Sequence, residues 1–262
     1  MNKLAAISLS GGIDSTSLLL HLAKRKYKIF ALGINYGQKH NLEIKKSSKN
    51  ISYLKSKGLD ITHEIIDLTD CSNLLSSSLT NKNKNVPEGF YEQKNMLSTV
   101  VPNRNSIFIS ILYGWALSIS KNYNKDVTIS LGVHSGDHAI YPDCRIEFYE
   151  KIMESFKIGN WDSDKISLYL PYINFDKKEI LKDALTSTDF LNLDFNSIFK
   201  NTITSYAPDK NGISNGKTGS DIERILAFDK LGLKDPIEYE NEWEDVLSFA
   251  KKTELNFKKK NQ

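Results

Sequence analysis

The chain has 262 residues, enough for one α/β domain with a modest extension and enough to bury a core without disulfides or metal. Hydrophobic residues make up 40% and charged residues 26%, an ordinary globular balance that excludes a disordered or fibrous chain. The 35 Lys and Arg against 32 Asp and Glu leave +3, too small a surplus to argue for nucleic acid or a membrane surface.

The two cysteines, Cys71 and Cys144, are far apart, so a disulfide framework is excluded and a reducing cytoplasm is expected. The apolar stretch at the N-terminus is too short for a secretion signal, and no segment approaches the ~18 apolar residues of a membrane span. Leu4 to Leu9 is an apolar run that ends in Ser-Gly-Gly, the profile of a buried parallel strand. Ser15 to Lys26 repeats apolar residues at helical spacing and ends in a basic cluster. A second strand follows over Lys28 to Asn35, a polar helix over His40 to Lys57 closed by Gly58, and a third strand over Ile61 to Leu68. This alternation predicts an α/β fold with a doubly wound parallel sheet covered on both faces.

From Thr69 to Val101 the pattern weakens into a long loop. Ser106 to Ser120 reads as an apolar helix, Asp126 to Val133 as a fourth strand and Glu147 to Ile158 as a further helix. Ile166 to Phe175 is mostly extended, Lys177 to Thr186 is helical, and Ile222 to Leu231 is helical after a polar stretch. The tail beyond Asp235 is acidic and then basic.

The most informative segment is Ser10-Gly11-Gly12-Ile13-Asp14-Ser15, between the first strand and the first helix. Adjacent glycines let the backbone approach an anion, and a helix N-terminus offers amides and partial positive charge. Ser10, Ser15 and Thr16 add hydroxyls. A plain Gly-Gly turn with Asp14 or Ser15 capping the helix is the alternative reading.

Here the sequence resembles a known family. The loop is similar to the pyrophosphate loop of the ATP pyrophosphatases, which activate a carbonyl or carboxylate oxygen as an adenylate. Further motifs, in order, narrow the resemblance to 7-cyano-7-deazaguanine synthase, the nitrile-forming enzyme of queuosine biosynthesis. They are Tyr36-Gly37-Gln38, Val101-Pro102-Asn103-Arg104-Asn105, Gly132 with Asp137, Tyr141-Pro142-Asp143-Cys144-Arg145, and Pro171 with Lys177. The resemblance implies an adenine nucleotide alpha hydrolase-like ATP-binding domain over 1–200, a mostly helical lobe over 201–262 and a homodimer.

It also implies ATP with Mg2+, acting on 7-carboxy-7-deazaguanine. Its carboxylate would be adenylated, ammonia would convert the adenylate to an amide, and a second ATP would drive dehydration to the nitrile. Gly11, Gly12 and Ser15 would hold the departing pyrophosphate, Lys177 would add a charged contact, and Asp14 would hold magnesium or order the loop. A guanine-like ring needs an acceptor carboxylate and a stacking plane, and Asp137, Tyr141, Asp143 and Arg145 supply that set. A solvated turn around Pro142 is the alternative there. Tyr36, Gln38, Arg104 and Asn105 are assigned to the substrate, although Asn105 also suits a helix cap. His134 and His138 are four apart, but Gly136 between them argues against a metal-binding helix face.

The family carries four cysteines near its C-terminus that hold zinc. Here Ser205, Asn215, Thr218 and Asp221 occupy those places, so no zinc is expected. That divergence leaves two alternatives open: a ligase that stops at the amide or joins the deazaguanine to another amine such as a protein amine, or a non-catalytic nucleotide or deazaguanine binder.

Overall fold

The computed structural model describes residues 3–37, 42–72, 74–75, 77–79, 87–89, 94–134, 136, 141–205 and 208–260. Gln38, His40, Asp137 and His138 lie outside them. Among the described residues, strands β1 (Lys3–Ser8), β2 (Tyr27–Asn35), β3 (Ile61–Asp67), β4 (Val127–Ser130) and β5 (Ile166–Tyr169) form one sheet in the order β3-β2-β1-β4-β5. Every pairing is parallel. The expected doubly wound α/β class is the one the chain adopts, with a helical C-terminal region.

The central strand shows why both faces are covered. Ala5 and Ile7 point into a core shared with helix α1 (Ile13–Lys24) and helix α6 (Lys177–Phe190). Leu4 and Ala6 point the other way, into a core built on helix α4 (Arg104–Tyr123) and helix α5 (Ile146–Gly159). Side chains alternate along a strand, so an uninterrupted apolar run serves two cores. The order reverses beside β1, where β2 lies on one side and β4 on the other. In such sheets the crevice at the carboxyl ends of the strands there is the ligand site.

Several boundaries differ from the sequence expectation. Helix α1 starts at Ile13 with Gly12 as its cap residue, so Asp14 and Ser15 sit inside the first turn and cap nothing. Asn103, not Asn105, precedes α4, in a left-handed conformation. Strand β4 ends at Ser130, three residues early, because Leu131, Gly132 and Val133 leave the sheet to line the crevice. Helix α2 (Leu42–Ser56) closes before Gly58, which takes φ +85°. The long loop contains a four-residue helix α3 (Thr69–Ser72) and a 3-10 turn over Lys94–Thr99.

Beyond β5 the extended expectation fails after Tyr169. The chain turns instead, burying Tyr172 against α1 and α6. Helix α7 (Phe195–Phe199) and helix α9 (Trp243–Lys260) have no counterpart in the sequence reading. Val246 and Ala250 of α9 cover Ile222, Ile225 and Leu226 of helix α8 (Gly219–Lys230). Ala227 and Phe228 of α8 belong to the α1–α6 core. No helix among the described residues is long and apolar enough to cross a membrane.

Candidate active site

A cavity of about 280 Å³ opens at the carboxyl ends of β1, β2 and β4. Its floor is the loop after β1. Gly11 takes φ +87°, and a Cβ there would stand 2.7 Å from the carbonyl oxygen of Glu43, so only glycine lets α2 close on the loop. The serines knit the turn: the amide of Ser10 donates to Ser15 Oγ at 3.2 Å, and that of Gly12 donates to Ser10 Oγ at 3.3 Å. Ser10, Gly12, Asp14 and Ser15 line the cavity, and Thr16 is buried behind it. The turn thus presents hydroxyls and the N-terminal amides of α1 to one space, where an anion is favoured.

On the β4 side stands an ionic cluster. Lys177 is the first residue of α6 and is 5% exposed. Nζ donates to both Asp14 oxygens, at 2.9 and 2.7 Å, and lies 3.4 Å from Glu223 Oε2. A cation at a helix N-terminus opposes the helix dipole, so these two carboxylates supply the compensating charge. His134 Nε2 is 3.0 Å from Nζ, while Nδ1 accepts from the amide of Gly136. Burial alone would push the Asp14 carboxyl up; the Lys177 ammonium, then His134, outweigh it and hold the group below its usual range.

On the β2 side are Tyr36, Glu43, Arg104, Asn105 and Phe108. The Arg104 guanidinium lies 5.8 Å from the Tyr36 ring centre, and the Phe108 ring 5.4 Å from it. Burial pushes the Glu43 carboxyl up to about 7, with Arg104 opposing the shift. Asn105 turns its amide to Cys144 Sγ, at 3.6 Å.

The structure therefore gathers Ser10, Gly12, Asp14, Ser15, Lys177, Tyr36, Arg104 and Asn105 around one space. It does not bring the whole base-recognition set there. Tyr141 is buried against Met96 and Cys144, with its hydroxyl 2.6 Å from Thr99 Oγ1. Asp143 is half-buried in the turn Pro142–Cys144 and Arg145 is exposed before α5; neither is among the lining residues. Asp137 and Gln38 lie outside the described residues. Glu43, His134 as a partner of Lys177, and Glu223 were missed. They come from three separate segments, and no spacing in the sequence joins them.

The third wall comes from the C-terminal region through Ile203, Ser205, Ser220 and Glu223. Behind it, Asp221 is fully buried and accepts from Ser205 Oγ at 3.0 Å, Ser214 Oγ at 2.7 Å and the Thr218 amide at 3.1 Å. Asn215 faces away, with Oδ1 accepting from the Lys217 amide. One carboxylate saturated by hydroxyls does not fit zinc, which wants thiolates or imidazoles. Among the described residues no group of three His, Cys, Asp or Glu side chains suits a metal.

Comparison with known proteins gives the following. The family model described as "Queuosine biosynthesis protein QueC" matches residues 4–232. The 7-cyano-7-deazaguanine synthase of Hahella chejuensis is 40% identical over 92% of this chain and 94% of its own length. The enzyme of that name from Caldicellulosiruptor saccharolyticus is 38% identical over 91% and 96%. Among solved structures, the NMN synthetase of Francisella tularensis aligns with TM-score 0.38 and 14% identity over 94% of this chain and 82% of that one, too distant to bear on the site. A glycine loop at the switch point, and two curated relatives that match nearly end to end, lead to one statement: the chain belongs to the QueC family of queuosine biosynthesis proteins.

Proposed function

We propose that this chain joins nitrogen to the carboxylate of 7-carboxy-7-deazaguanine in an ATP-dependent reaction and carries the amide on to 7-cyano-7-deazaguanine. The single observation that carries the reading is the cavity in which the Ser10–Ser15 turn and Lys177 face one another. ATP supplies the adenylyl group that makes the carboxylate oxygen a leaving group. The residues present suit its phosphates: the hydroxyls of Ser10 and Ser15 and the first amides of α1 border the cavity.

Asp14 accepts two hydrogen bonds from Lys177 Nζ and so fixes that group beside the Ser10–Ser15 turn. There it offsets negative charge that develops on a departing pyrophosphate. Asp14 would be the residue to hold magnesium, which would neutralise phosphate charge there, or else it orders the loop through Lys177. Ile34, Ile109 and Leu131 make the opposite wall apolar, which limits water at an activated carboxyl.

The test is mass spectrometry after incubation with ATP, magnesium, 7-carboxy-7-deazaguanine and ammonia. AMP, pyrophosphate and the nitrile are expected. Amide that accumulates, or a conjugate with another amine, narrows the reading to the first part of the reaction. ADP and phosphate overturn it.

A further inference from the structure

The cavity is lined by a carboxylate, Glu43, that neither the reaction outlined above nor the Lys177 cluster uses. We propose that Glu43 reads the N1–H and 2-amino edge of the deazaguanine ring, with Tyr36 and Phe108 as the aromatic surface beside it. This rests on the deazaguanine reading above and deepens it.

Glu43 belongs to the first turn of α2, and its own carbonyl oxygen is the atom that closes on Gly11. Its side chain therefore springs from a point fixed against the phosphate loop, and it lines the same cavity as that loop. Among the described residues its carboxylate makes no hydrogen bond or ion pair. The groups that face it are the Arg104 guanidinium from α4 and the Tyr36 hydroxyl at the end of β2. The two oxygens of Glu43 therefore keep their acceptor capacity toward the cavity, where donors of a ligand can take the place of water.

The chemistry of the edge selects the ligand. A guanine-like ring presents two parallel N–H donors, which match the two oxygens of a carboxylate. An adenine edge presents one donor and one acceptor, which matches a protonated carboxyl or an amide instead. The two occupants thus give opposite responses to pH. A carboxyl with its pKa near 7 binds the guanine-like edge better as pH rises, and an adenine edge better as pH falls. Tyr36 and Phe108, tilted 60° to one another with Arg104 5.8 Å from the Tyr36 ring centre, supply aromatic faces on which such a ring can stack.

Calorimetry on the full chain tests this with two probes, 7-cyano-7-deazaguanine and its analogue without the 2-amino group. The wild type should prefer the parent ring by roughly tenfold or more, because a hydrogen bond to a charged group is lost in the analogue. Glu43→Gln should weaken the parent by roughly 10- to 100-fold and abolish the preference, since its amide turns a donor toward the ring. Glu43→Asp keeps both acceptors and should keep the preference at lower affinity, which separates recognition from damage to the fold. Between about pH 6 and about pH 8 the parent should bind the wild type progressively tighter, and Glu43→Gln should lose that dependence. An unchanged preference in Glu43→Gln, tighter binding at the lower pH, or a loss seen in Asp143→Ala but not in Glu43→Gln overturns the inference. Wild-type protein that binds neither probe but still binds magnesium ATP defeats the deazaguanine reading itself.

Discussion

Gly132 gives the sharpest test of how the site is assembled. It lies just past β4, where the chain crosses the first turn of α1. A Cβ on it would stand 2.9 Å from the Asp14 carbonyl carbon, 3.0 Å from that oxygen and 3.1 Å from the Ser15 amide nitrogen. Ordinary contact begins at 3.4 Å, so Gly132→Ala must part the two segments by about half an ångström. All three atoms are backbone, and no side chain can swing aside. Overpacking of this kind costs about 1–3 kcal/mol of stability. The displacement falls on Asp14, which pins Lys177, and since 1 Å of misplacement can cost about 100-fold, kcat/KM should drop about tenfold. Gly114 is the control: it sits in α4 with nothing within 4 Å of its Cβ, so Gly114→Ala should stabilise by about 0.5–1 kcal/mol. Pyrophosphate release and thermal melting read both effects. Wild-type turnover by Gly132→Ala would refute the claim that this contact positions Asp14.

Asp14→Asn should lower turnover by about 100-fold or more, because Lys177 loses the charged carboxylate that accepts from its Nζ at 2.9 and 2.7 Å. The folded Asp14 carboxyl titrates below its ordinary 3.8, so the stabilisation it gives is fully present above that value and fades only as pH falls further. The stability difference between Asp14→Asn and wild type should therefore stay flat through the neutral and mildly acid range, read by urea melts. Purified protein should hold no stoichiometric zinc by elemental analysis and should keep its melting temperature in a chelator; about one zinc per chain contradicts this. Asp221→Ala should cost about 3 kcal/mol by stranding the buried Thr218 amide and hydroxyls, and Asp221→Asn markedly less. Burial raises the Asp221 carboxyl, with Thr218, Ser214 and Ser205 partly offsetting it, so its contribution is best at low pH and declines as pH rises through the folded value.

What was legible in the sequence is what local chemistry decides. The run Leu4 to Leu9 with Gly11-Gly12 after it specifies a buried strand and a turn, and the structure has both. The apolar run past Ser130 was not separable from strand, because Leu131 and Val133 are apolar for the sake of a cavity wall rather than a sheet. Helix α9 was hidden for another reason. Val246 and Ala250 are its buried positions among many charges, and they acquire meaning only against α8. Thr218 and Asp221 were read as displaced metal ligands, yet the pair is also a capping box, each side chain satisfying the other's backbone amide at the start of α8. Glu43 and Glu223 carry no signal, since acidic residues on polar helices are usually solvated and only the tertiary fold turns these two inward.

The C-terminal region is tied directly to the Ser10–Ser15 turn. The amide of Ile203 donates to the Gly11 carbonyl at 3.1 Å, so the segment after α7 is bonded directly to the turn. Arg224 then anchors that segment from α8. Fully buried, it pairs with Asp235 at 2.6 Å and donates to Thr202 Oγ1 at 2.8 Å and Thr204 Oγ1 at 3.0 Å. Five donors in one rigid fork do here what a chelate would do, which is to fix several chain segments at one point. The preceding residue, Glu223, is turned about a quarter of the helix away and faces Lys177. Neighbouring residues on one helix thus hold the wall of the cavity and reach its ionic cluster. Strain that loosens α8 must move Glu223 and the Ile203 contact together, so the C-terminal region and the cavity respond as one.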